Sequence, residues 1–126
     1  MSSFGLSRIG QIAVPVKDIA RAVAFYRDQI GMKFLFQAGK LAFFDCNGIM
    51  LMLDVPEDAE FQHPSSVLYF TVDDIQAGYA ALKSRGVRFR GEPHIIHKAA
   101  EFDLWMAFFY DSEENTMAIR CEQRRP

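Results

Sequence analysis

The feature that most constrains this chain is a pattern that occurs in it twice. Ile9 to Phe34 reads IGQIAVPVKDIARAVAFYRDQIGMKF, an apolar run, an Asp, an amphipathic stretch and a Gly. From Val67 the order returns as VLYFTVDDIQAGYAALKSRGVRF. Val16, Asp18 and Ile19 align with Val72, Asp74 and Ile75 at an offset of 56, and Gly31 to Phe34 with Gly86 to Phe89 at 55, so the second copy is one residue shorter within its helix. Phe43, Asp45 and Met50 to Leu53 align in turn with Phe109, Asp111 and Thr116 to Ile119. Duplication at this spacing fixes the architecture before any single motif does. The predicted unit is a strand, a helix and three strands, used twice.

Local signals agree within each copy. Ile12, Val14 and Val16 alternate with Gln11, Ala13 and Pro15, as a strand requires. Asp18 stands at a helix N-cap, and Ile19, Ala22, Val23, Tyr26 and Ile30 form one apolar stripe before Gly31 ends the helix. Strands are predicted near 33–37, 40–45 and 49–54, with Asn47-Gly48 as a tight hairpin turn. Residues 55–65 form a polar linker with two prolines. In the second copy Leu68, Phe70 and Val72 repeat the inward alternation, Asp74 caps, Ile75, Gly78, Tyr79 and Leu82 make the stripe, and Gly86 stops it. Strands near 87–90, 94–99, 104–110 and 116–121 complete the unit, with a polar turn at 111–115. One domain is expected over 1–126: module one about 8–54, linker 55–65 and module two 66–122.

Bulk properties exclude several partners. With half its residues hydrophobic, 24% charged and a net charge of −2, the chain gives no basis for binding nucleic acid or an anionic membrane. Its two cysteines have neither metal-ligand spacing nor a disulfide framework, which sets a reduced, cytoplasmic expectation. There is no leader-like start and no apolar run near the ~20 residues of a membrane helix.

The VKDIARAVAFYRDQIGMKF opening, the TVDDIQAGYAALKSRGVRF second opening and the FFYDSEENTMAI ending, in that order, resemble the vicinal oxygen chelate superfamily. This group includes glyoxalase I, the extradiol dioxygenases, and the bleomycin and fosfomycin resistance proteins. The ending is similar to the family's F-x-D-P-x-G-N, with Ser112 for the Pro and Glu114 for the Gly. The resemblance covers about residues 8–122 and implies an α+β fold: two βαβββ modules forming a cup-shaped mixed sheet, helices outside, a ligand within. It also implies a homodimer, because each module leaves a sheet face and edges needing cover. Whether the cup closes within one chain or across two is open.

Enzymes of that superfamily hold a divalent metal with four cup-facing residues, and carrying these over tests the resemblance. The positions fall on Gln11, Met52, Val67 and Ala118. Valine and alanine carry no donor and a thioether is a poor one, so no metal is expected there. Shifting by two residues offers Met50 or Asp54, Tyr69, and Thr116 or Arg120, which supplies one carboxylate at best. The candidate ligand-binding set is therefore Gln11, Met50, Met52, Val67, Tyr69, His94, Trp105, Thr116, Ala118 and Arg120, an adaptable apolar lining with a few polar points. Phe43 and Phe109 are further candidates whose facing depends on register. Arg120 suits a carboxylate if it points inward. His94 and His97, three apart, fall on opposite faces of a regular strand and reach one ion only across a bulge or turn.

Two functions follow from the resemblance. One is binding of a small apolar or aromatic molecule without metal or other cofactor. The alternative is a glyoxalase-type lyase, isomerase or dioxygenase with a relocated site around Gln11, His94 and Glu101 or Asp103. Cys46 has no basic neighbour in sequence to activate it.

Overall fold

In a computed structural model, which describes residues 3–126, the duplication is reproduced down to backbone angles. Module one runs β1 (Gln11–Pro15), α1 (Ile19–Ala24), β2 (Lys33–Ala38), β3 (Leu41–Cys46) and β4 (Ile49–Asp54). Module two runs β5 (Leu68–Thr71), α2 (Ile75–Ser84), β6 (Arg88–Phe89), β7 (His94–Lys98), β8 (Phe102–Tyr110) and β9 (Thr116–Arg124). Each module folds its strands into a mixed sheet. The first has the order β1-β4-β3-β2; the second has β5-β9-β8-β6, with β7 also on β8. In each, the strand before the helix pairs parallel with the last strand, and the registers are equivalent. Ala13 opposes Met52 as Tyr69 opposes Ala118, and Pro15 opposes Asp54 as Thr71 opposes Arg120.

The caps repeat too. Asp18 (φ −132°, ψ 108°) accepts from the Arg21 amide, and Asp74 (φ −133°, ψ 109°) from that of Ala77. Both satisfy free amides of a first turn. Gly31 and Gly86 end the helical segments at φ 81° and 85°, the left-handed conformation that glycine adopts without a Cβ clash. The extra residue of module one has a definite place. Helix α1 passes at Phe25–Gln29 into a π-helical turn, the form taken by a helix with one residue inserted.

The two modules share one core, built from the helix-covered face of each sheet. Val14, Phe44, Leu51 and Leu53 of the first meet Ile75, Phe109, Met117 and Ile119 of the second in it. A polar latch crosses the same junction. The turn between β8 and β9 sends Glu113 to the start of α1, where its carboxylate accepts from the Lys17 and Asp18 amides at 2.8 and 2.9 Å and from Arg21. Asp111, only 1% exposed, accepts from the Tyr26 hydroxyl at 2.7 Å. Asn115 donates to the Pro15 carbonyl at 2.9 Å.

Register corrects one sequence alignment. Phe44 opposes Leu51 as Phe109 opposes Met117, so Phe109 answers Phe44 rather than Phe43, and Phe108 answers Phe43. The cause is the β8–β9 turn, one residue longer than Asn47-Gly48, whose last loop residue Glu114 has φ 67°. Three-residue hairpin loops place a left-handed residue there, and glycine suits it best. Glu114→Gly should raise stability by about 0.5–1 kcal/mol. The exposed Arg88–Glu114 ion pair that it removes contributes little. A higher urea midpoint at unchanged slope is the expected readout; a lower midpoint would show that the loop carries no strain.

Candidate functional site

With one face of each sheet in the common core, pleating turns the alternate residues outward. On module one these are Gln11 and Ala13 on β1, Met50, Met52 and Asp54 on β4, and Phe43 on β3. Their neighbours Val14, Phe44, Leu51 and Leu53 are at most 1% exposed. The Gln11 amide lies 3.7 Å from the Met52 sulfur. Phe36 stacks on Phe43 with ring centroids 4.5 Å apart, and a bulge at Leu35 gives it that facing. Phe36 was not foreseen, because strict alternation from Phe34 would have sent it inward.

On module two the corresponding face carries Tyr69 and Thr71 on β5, Thr116, Ala118 and Arg120 on β9, and Met106 and Phe108 on β8. Val67 lies just before β5 and is exposed. Ala118 is fully buried; its two register partners, Tyr69 and Phe108, pack edge to face with centroids 5.9 Å apart. Arg120 binds Glu122 at 2.8 Å and reaches toward the Thr71 hydroxyl at 3.4 Å. Its charge is thus shared with a carboxylate beside it.

Two sequence candidates lie elsewhere. Trp105 pairs with Cys121 and packs against the core with its indole N–H buried and without a partner. Phe109, 1% exposed, is a core residue. Both alternate with Phe108 and Met106 along β8, so the one-residue correction that moves Phe109 inward moves Trp105 with it. His94 pairs with Met106 and lines a cleft of about 410 Å³ with Arg90, Gly91, Glu92 and Phe108. The carboxylates considered for a relocated site each lie beside an arginine. Asp103 is bound to Arg125, and exposed Glu101 lies 3.6 Å from Arg124.

The four positions where the superfamily holds its metal do not fit one. Gln11 is the single residue among them with an ordinary donor, and Met52, Val67 and Ala118 leave that region apolar. An uncompensated divalent ion there would lose far more hydration than one amide returns. Among the described residues, no group of three or more His, Cys, Asp or Glu side chains is placed to hold a metal.

The sequence model of the Glyoxalase/Bleomycin resistance protein/Dioxygenase superfamily matches residues 8–119. The chain belongs to this superfamily. A metallothiol transferase FosB from Lysinibacillus sphaericus is 30% identical over 69 residues, about half of each chain (52% and 49%). A glyoxylase-like domain-containing protein from Didymella fabae is 28% identical over 125 residues, covering 89% of this chain and 91% of that one. Among solved structures, a superfamily member from Sphaerobacter thermophilus matches with a TM-score of 0.77 at 18% identity, over 93% of this chain and 98% of that one. That likeness shows the fold, which in this superfamily member is the α+β pair of βαβββ modules. No helix among the described residues is long and apolar enough to cross a membrane.

Proposed function

We propose that this protein binds a small, largely apolar or aromatic molecule between the outward face of module one in one copy and that of module two in a second. No metal is used at the superfamily's usual position. The observation that carries this reading is the composition of the two outward faces: Gln11, Met50, Met52, Phe36 and Phe43 on one, Val67, Tyr69, Phe108 and Ala118 on the other. Such a lining holds a ligand by buried apolar area, at roughly 25 cal/mol per Å², while Gln11, Thr116 and His94 orient it.

The second copy is needed because the common core draws the helix sides of the modules together and leaves both outward faces open. Among the described residues, five clefts are each lined without drawing on both faces. Each face is half of a concavity, and a two-fold pairing of copies completes two of them. The equivalent positions Asp54 and Arg120 carry opposite charge, which suits faces that meet across such a pairing.

Light scattering should give twice the 14.4 kDa chain mass at micromolar concentration. The binding of an environment-sensitive aromatic dye, the amphiphilic anion anilinonaphthalene sulfonate, should be unchanged by EDTA. A monomer, or dye binding lost on chelation, would contradict this reading.

A further inference from the structure

We propose that His94 and His97 form a two-histidine site for a borderline divalent cation, zinc, nickel or copper, at the rim of the module-two face. This site is separate from the superfamily's metal position; it shares His94 with the ligand face proposed above but does not rest on that reading. In a regular strand a separation of three would send the two imidazoles to opposite faces. The strand is not regular: His94 pairs with Met106 and Ile95 with Trp105, but His97 pairs with Leu104, so Ile96 is the extra residue of a β-bulge. Met106 and Leu104 share a face of β8, and the bulge therefore brings both histidines onto that one face. Their spacing becomes that of alternate strand residues, about 7 Å along the strand, from which two imidazole nitrogens can converge on one ion.

The surroundings support a ligand role. Nδ1 of His94 lies 3.2 Å from the Glu92 carbonyl. The tautomer that donates there leaves Nε2 unprotonated, the arrangement by which metal-binding histidines are oriented. Both imidazoles are exposed, on an edge strand that an ion can reach directly. The neighbouring cation Arg120, beyond Met106, is already paired with Glu122, which lies beyond Leu104. With two protein donors the remaining coordination positions fall to water or to a bound molecule, and imidazole favours copper, nickel and zinc over magnesium or calcium. Competition from Cys46 is weak, because burial and the adjacent Asp45 raise its thiol pKa and keep it protonated.

Calorimetric titration of the full chain with Ni²⁺ tests the pair. One ion per chain should bind, and His94→Ala or His97→Ala should each weaken it at least tenfold, with little further loss in the double variant. His63→Ala should leave binding unchanged. The double substitution His97→Lys and Lys98→His keeps two imidazoles but moves the second to the position opposite Asp103, on the other face of the strand, and should weaken binding as much as either alanine. Two independent histidines would instead show halved stoichiometry at unchanged affinity in each single variant. That result, full binding by a folded His97→Lys, Lys98→His chain, or no Ni²⁺ binding, would overturn the proposal.

Discussion

Asp111→Ala is expected to lower stability by roughly 3–5 kcal/mol, the largest effect of any single truncation in the junction. The Asp111 carboxylate accepts four hydrogen bonds: the Tyr26 hydroxyl, the Glu113 and Asn115 amides, and the Asn115 side chain, all within 2.9 Å. Removing it strands the Tyr26 hydroxyl in a core where the residue is 1% exposed and frees the turn that carries Glu113. Urea unfolding should show a much lower midpoint. A loss under 1 kcal/mol would mean that the latch relaxes to other partners.

The same latch predicts an acid limb. Burial works against the Glu113 charge, but Arg21, the Asp18 and Lys17 amides and the Ser112 hydroxyl stabilise it and hold its pKa at about 2, against 4.5 unperturbed. A carboxylate depressed on folding contributes stability that is complete above about 4.5 and fades as pH falls toward 2. That contribution is on the order of 2–3 kcal/mol, and Glu113→Gln should flatten this part of the pH–stability curve.

Val67→Trp is expected to abolish binding of anilinonaphthalene sulfonate while leaving the fold intact. Val67 is 38% exposed at the edge of the module-two face, so the indole meets no core atom and instead fills the space above the Tyr69–Phe108 pair. Met52→Trp should do the same from module one, where Met52 is half-buried beside Gln11. Unchanged circular dichroism and urea midpoints would separate blocked binding from lost structure. Dye bound at full stoichiometry by either variant would place the site elsewhere.

Much of the fold was legible because its signals are local and occur twice. Asp18 and Asp74, Gly31 and Gly86, and the alternations around Val14 and Phe70 each state a cap, a stop or a face within a few residues. Even the offset change from 56 to 55 announced the π-helical turn at Phe25–Gln29 as an inserted residue. Facing on the later strands was less legible because one residue decides it. The bulges at Leu35 and Ile96 and the extra residue ending at Glu114 leave no mark in hydrophobic pattern. They decide that Phe36 joins the outward face, that Trp105 and Phe109 leave it, and that His94 and His97 share one side. The latch was legible only as a motif. Nothing in DSEEN says that its second carboxylate caps a helix 95 residues earlier in the chain.

The central claim, a site assembled from two different faces of two copies, is tested most directly by mixing two inactive variants. Met52→Trp and Val67→Trp chains, each unable to bind dye alone, are unfolded together, refolded and titrated with anilinonaphthalene sulfonate. In a mixed pair one concavity carries both blocks and the other carries neither. The mixture should therefore regain roughly a quarter of the wild-type sites, at wild-type affinity, once chains pair at random. No recovery in a mixture shown to contain mixed dimers would mean that each site is built within one chain, and the account would be wrong.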